Sequence, residues 1–67
     1  MTVHVLSIRD LYDEDLLGLY RDPHRARAVA DKLYPGGAAW RPDPRGGEQR
    51  RLASGVYLRL RPWTVCA

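Results

Sequence analysis

The sequence predicts a small α+β fold, with one antiparallel sheet in the order ββαββ and one helix packed on one face of it. Three observations favour this fold. Two apolar runs come first, a single helix signal follows them, and residues of alternating polarity close the chain. With 67 residues, we expect a single domain, residues 1–67, with a thin core.

The first two elements are predicted strands joined as a hairpin. Residues 3–8 are rich in β-branched side chains, which favour extended backbone, and residues 16–20 form a second apolar run. The polar and acidic residues 10–15 between the two runs predict a hairpin loop.

The helix begins after Asp22. The carboxylate of Asp22 can accept hydrogen bonds from the first free backbone N–H groups, and Pro23 at the first helical position loses no bond that the helix would make. Apolar side chains recur with the spacing of one helical face, at Ala26, Val29, Ala30 and Leu33. Pro35 and two glycines then end the helix, so we expect it over residues 23–34.

The second half of the chain predicts further strands around a loop. Residues 38–41 form a plausible short strand, and the Pro- and Gly-rich residues 42–47 predict the loop. Residues 48–54 and 56–61 can both be extended, and Gly55 between them is either a bulge within one strand or a bend between two. We expect Pro62 to end the last strand.

The same sequence argues against several classes of function. Its one cysteine, Cys66, cannot form an internal disulfide, and it lacks metal-ligand spacing to His4 and His24. No serine lies in the context of an activated nucleophile. We therefore expect no catalytic site, no metal site, no cofactor and no small-molecule ligand, so the protein should not be an enzyme.

The chain also lacks the marks of a secreted or membrane-inserted protein. Its start has no basic segment followed by an apolar run, and no stretch approaches the ~18 apolar residues that a membrane span needs. A lone cysteine fits a reducing compartment. The expected location is therefore the cytoplasm, with no membrane partner.

Charge divides the chain into two halves. Residues 1–34 hold five basic and six acidic side chains, whereas residues 35–67 hold six basic and two acidic ones. The second half is therefore electropositive, which bears on partners rather than on fold. All but one of the basic residues are arginines, whose planar fork binds phosphate or carboxylate with two hydrogen bonds.

The last strand predicts an open sheet face that could bind single-stranded nucleic acid. Alternation along residues 56–61 places Val56, Leu58 and Leu60 on one side of the strand. Arginine and aromatic side chains would then share the outward face or its border, at Arg51, Tyr57, Arg59, Arg61, Trp40 and Trp63. The alternative is that outward arginines only keep an exposed sheet face soluble.

The opening hairpin predicts a second kind of surface. Its two strands carry apolar residues on both faces, whereas a strand with one solvated face should alternate. One helix can cover only one of these faces, so the returning chain, a second copy or another protein should cover the other. The alternative is that one or two aliphatic side chains simply stay exposed, as they often do in small proteins. The residues that we expect to bind this partner are Val3, Val5, Leu17 and Leu19.

These features lead to one leading hypothesis and one alternative. The leading hypothesis is a non-enzymatic interaction or regulatory module that acts by protein–protein binding and self-associates, with a homodimer expected. The alternative is a nucleic-acid-binding protein that uses the arginine-rich face.

The first half of the chain also resembles a known group of proteins. An opening strand Val3-His4-Val5-Leu6 precedes an acidic hairpin, and a strand Leu17-Gly18-Leu19-Tyr20 leads into an Asp22-capped helix with early alanines. Over residues 3–33 this pattern resembles short uncharacterised bacterial and phage proteins. The resemblance implies the hairpin-and-helix fold and a bacterial or phage origin.

Overall fold

Five antiparallel strands form one open sheet in the order β2-β1-β5-β4-β3, and one helix accompanies it. The computed structural model describes residues 1–10, 12–52 and 55–65. Its elements are β1 (Thr2–Arg9), β2 (Glu14–Tyr20), α1 (Pro23–Leu33), β3 (Arg41–Pro42), β4 (Glu48–Arg51) and β5 (Tyr57–Thr64). The predicted α+β class is confirmed. The predicted order ββαββ is wrong, because three strands rather than two follow the helix.

The opening hairpin forms as predicted, but its second strand begins earlier than expected. Asp10 closes the turn, since its Oδ1 accepts hydrogen bonds from the backbone N–H groups of Tyr12 at 2.8 Å and Asp13 at 2.7 Å. Those two bonds lower the pKa of Asp10 below its ordinary value. The turn is therefore tight, and Glu14 already lies in β2 opposite Arg9.

A β-bulge interrupts the pairing of β1 with β2. Leu6 pairs with Gly18, whereas the next residue, Ser7, pairs with Leu16, so Leu17 is the extra residue. A bulge changes which face the following side chains occupy. Because of the bulge, the leucines of β2 do not alternate between the two faces of the sheet as they would in a regular strand.

The helix prediction is confirmed at its start and within one residue at its end. Asp22 is extended, and its Oδ1 accepts a hydrogen bond from the backbone N–H of His24 at 2.9 Å. Of the predicted apolar stripe, Ala26 and Ala30 are fully buried, whereas Leu33 is 59% exposed. The two alanines allow α1 to lie close to the sheet.

The second half differs from the prediction in two details and decides between the two alternatives for Gly55. The strand expected at residues 38–41 is the two-residue β3, which begins only at Arg41. Gly55, with φ of +82°, lies in the turn between β4 and β5, where Leu52 donates to the carbonyl of Val56 at 2.8 Å. It therefore separates two strands. Pro62 does not end β5. The first residue of β4, Glu48, pairs with Leu60, so β5 is paired with β1 alone at Pro62, where no hydrogen bond to β4 is needed.

The core lies between α1 and one face of the sheet, which we call the helix face. Its fully or almost fully buried apolar residues are Leu6, Leu58, Leu60, Ala26 and Ala30. Arg27 pairs with Glu48 and Arg50 pairs with Asp31, so ion pairs join α1 to β4 beside this core. No helix in the described ranges is long and apolar enough to span a membrane.

Candidate functional site

The face of the sheet opposite α1, the open face, presents the alternate residues of each strand. Since Leu6 faces the helix, Val5 and Ser7 face away from it. The outward row of β5 is Tyr57, Arg59, Arg61 and Trp63. This row therefore has two arginines in its middle and an apolar tryptophan at its end.

A buried ion cluster occupies the middle of the open face. The guanidinium of Arg59 donates to Glu14 Oε1 at 2.8 Å, and its Nε lies 3.4 Å from Asp43 Oδ2. Arg61 binds the other oxygen of Glu14 at 3.1 Å. The side chains of Arg59 and Asp43 are 7% and 5% exposed. Burial of charge to this degree requires paired partners, so the cluster fixes the loop and the hairpin against β5.

The loop between β3 and β4 brings Asp43 to this cluster. The N–H of Asp43 donates to the carbonyl of Gly47, and Asp43 Oδ1 accepts from the N–H of Arg45, both at 2.9 Å. Gly47 has φ of +79°, and a Cβ there would collide with the carbonyl oxygen of Leu60. Only glycine lets the loop lie this close to β5.

One end of the open face is apolar. We define the apolar end as Val3, Val5, Leu16, Leu19 and Trp63. Leu16, Leu19 and Trp63 are 63%, 60% and 58% exposed, and the two valines are half-buried. Val5 pairs with Leu19 on one side, and Val3 pairs with Trp63 on the other, so these side chains are neighbours across three strands.

The opposite end of the open face is basic and concave. We define the basic end as Arg9, Arg41, Arg45, Arg51, Gln49 and Tyr57. Two concavities of about 430 Å³ and 340 Å³ lie there, and both are lined by Gln49 and Tyr57. The four arginines are exposed, and none has a carboxylate within 4.0 Å in the described part of the chain.

The residues predicted to bind a protein partner divide between the two faces. Val3, Val5 and Leu19 lie on the open face, within the apolar end. Leu17 packs against the core on the helix face, because the bulge turns it inward. Leu16 takes the outward position instead. The sequence does not mark the bulge, so period-two alternation assigned the two leucines incorrectly.

The residues predicted to bind nucleic acid are dispersed. Arg51 and Tyr57 lie at the basic end, but Arg59 and Arg61 are engaged by carboxylates. Trp63 lies at the apolar end. Trp40 packs on the helix face, where its Nε1 donates to Asp31 Oδ1 at 3.3 Å.

Sequence reasoning missed four members of the basic end. Arg9, Arg41 and Gln49 continue the outward rows of β1, β3 and β4, and Arg45 lies in the loop that carries Asp43. Strand alternation alone would have placed Arg9 outward, at the end of the first predicted strand. Arg45 carried no such signal, since its position depends on the loop folding back over β5.

The metal-ligating side chains do not cluster within residues 1–10, 12–52 and 55–65. No group of three or more of them lies together there. His24 Nδ1 is hydrogen-bonded to Arg27 at 2.7 Å. Cys66 is outside the described residues.

Comparison with known proteins adds no relative. No protein-family model, curated protein or solved structure matches the chain.

Proposed function

We propose that this protein is a non-enzymatic interaction module that acts by protein–protein binding and associates with a second copy of itself through the apolar end. The observation that carries the proposal is the exposure of Leu16, Leu19 and Trp63 together on a sheet face that α1 does not cover. Contiguous exposed apolar side chains of this kind favour association. An accessory or regulatory role in a bacterial or phage setting accords with the resemblance of residues 3–33.

The small core supports a need for further apolar burial. Among the described residues, two of the five buried apolar ones are alanines, and three large side chains are buried completely or almost completely on the helix face. Burying apolar surface contributes about 25 cal/mol per Å². Covering the apolar end would therefore stabilise a chain whose own interior is limited.

The distribution of charge favours a second copy at this end. The chain carries a net charge of +3, so two copies repel each other unless their basic regions stay apart. The apolar end contains no ionisable side chain, and its neighbour Arg61 is paired with Glu14. Contact through the apolar ends keeps the arginines of the two basic ends at a distance.

An interface of ordinary size would occupy a modest part of the surface of this protein. A stable interface buries about 800 Å² on each partner. This is roughly one sixth of the 4890 Å² surface of the chain. Sheets that pack face to face align their strands within about 30° and interleave outward side chains, as two apolar ends could do.

Sedimentation over a dilution series tests the proposal. The wild type should pass from a species of twice 7.6 kDa to a single chain as it is diluted. The double variant Leu19→Gln, Trp63→Gln should remain a single chain, because it replaces two exposed anchors of the interface. Leu33→Gln is the matched control, since Leu33 on α1 is as exposed as Leu19.

Two results would overturn self-association through this end. One is a wild type that stays a single chain up to high micromolar concentration. The other is a dimer that survives in the double variant while circular dichroism shows all three proteins folded.

A further inference from the structure

The basic end gathers positive charge that the fold itself does not neutralise. Arg59, Arg61, Arg27 and Arg50 each have a carboxylate partner. The arginines of the basic end have no carboxylate partner within the described residues. They come from four separate parts of the fold, namely β1, β3, β4 and the loop between β3 and β4. Unpaired guanidinium groups converging from separate elements form a site for an anion with several charged groups.

The two concavities give this site its shape. Because Gln49 and Tyr57 line both, these two side chains form the boundary between the concavities. Arg9 and Arg45 lie around the larger one, and Arg41 and Arg51 lie around the smaller. An aromatic ring is therefore flanked on each side by a recess and by two guanidinium groups.

We propose that the basic end binds single-stranded nucleic acid, with bases placed against Tyr57 and the backbone phosphates bound by Arg9, Arg41, Arg45 and Arg51. Base stacking on an aromatic side chain accepts any sequence, and arginine binds phosphate in a bidentate way. Gln49 adds an amide that can donate to and accept from a base edge. The interaction does not depend on self-association, because the basic end and the apolar end lie at opposite ends of the open face.

Single strands fit this surface better than a duplex does. Arg9 and Asp10 at the end of β1, and Asp43 and Arg45 in the loop, line the larger concavity together with Tyr57. Only unpaired bases can enter this concavity and stack on the ring. A duplex keeps its bases paired inside and could contact only the rims.

The acidic residues nearby do not cancel the positive charge. Asp43 is almost fully buried and pairs with Arg59. Asp10 is directed to the backbone N–H groups of its own turn. The residues that line the two concavities include five arginines and these two carboxylates, so positive charge is in excess there.

Fluorescence anisotropy with short labelled oligonucleotides tests this inference. Oligothymidylate and oligouridylate are the single-stranded probes, and a mixed-sequence duplex of the same length and heparin are the comparison probes. We expect micromolar binding of both single strands at low salt and weaker binding of the duplex and of heparin. A slope of log affinity against log salt of about −2 corresponds to roughly three phosphates on a single strand.

Variants locate the binding on the surface. Tyr57→Ala should weaken binding about tenfold through loss of stacking. Arg41→Gln with Arg51→Gln should weaken it further and make the salt slope shallower by about one or more. The control is Arg21→Gln with Arg25→Gln, which removes the same charge from exposed positions outside the basic end.

The control pair separates a site from a general effect of net charge. Equal losses in the two arginine pairs, or equal binding of duplex, heparin and single strands, would show non-specific attraction of polyanions and overturn the proposal. Absence of single-strand binding at low salt would overturn it as well. Tyr57→Ala with unchanged affinity and unchanged folding would contradict the stacking role.

Discussion

The two faces of the sheet are built in opposite ways. The helix face has an apolar centre, where Leu6, Leu58 and Leu60 meet α1, and its ion pairs lie beside that centre. The open face has a buried ion cluster around Arg59 at its centre, and its apolar and basic side chains lie exposed toward the two ends. One face resembles a protein interior, and the other exposes apolar side chains at one end and basic side chains at the other.

This difference shows how a short chain can form a sheet with only one covering helix. An apolar middle on the open face would need a second layer, which the described chain does not supply. Arg59 instead extends across the middle and brings in Glu14 from β2 and Asp43 from the loop. The ion cluster closes the centre and leaves the two ends available.

The largest expected effect comes from truncating the helix face. Leu6→Ala should lower the free energy of unfolding by about 3 kcal/mol, because the residue is fully buried and leaves a cavity. Leu16→Ala, in the adjacent strand on the open face, should change it by less than about 0.5 kcal/mol in dilute solution. Urea denaturation measures both. Similar losses for the two variants would contradict the assignment of the faces.

A smaller effect is expected from the ion cluster. Asp43→Ala should cost about 2 kcal/mol, since it leaves the buried Arg59 with one carboxylate fewer and frees the loop. Asp43→Asn should cost less, because an amide oxygen can still accept the hydrogen bond from Arg45 N–H. If Asp43→Ala unfolded at the same urea concentration as the wild type, the cluster would not hold the centre of the open face.

The smallest effect concerns Ser7. This residue is almost fully buried beside Arg59, and its hydroxyl has no hydrogen-bond partner among the described residues. Ser7→Ala should leave stability unchanged or raise it by up to about 1 kcal/mol, as removal of an unsatisfied buried hydroxyl does. A loss above that size in thermal denaturation would mean that the hydroxyl is bound within the cluster.

Local patterns predicted much of the fold. Asp22 and Pro23 located the helix start, and the alternation of Val56 to Arg61 assigned the faces of β5, because both signals depend on neighbouring residues. The bulge at Leu17 could not be read in this way. It arises where two strands pair, and β2 alone carries no mark of it.

The candidate site was less predictable because long-range pairing determines it. Arg59 and Arg61 seemed free in the sequence, but Glu14, 45 and 47 residues away, binds both. The Trp40 side chain likewise donates a hydrogen bond to Asp31 of α1 and does not lie on the open face. Which arginines remain unpaired depends on which carboxylates the folded chain brings near them.

The most direct test of the account is an NMR map of the open face under two conditions. On dilution, amide shift changes should concentrate at the apolar end, around Val5, Leu19 and Trp63. On addition of single-stranded oligonucleotide, they should concentrate around Arg51 and Tyr57, with α1 unaffected in both cases. Changes that fall on the same residues in both experiments, or mainly on α1, would contradict the proposal that the open face has two separate binding ends.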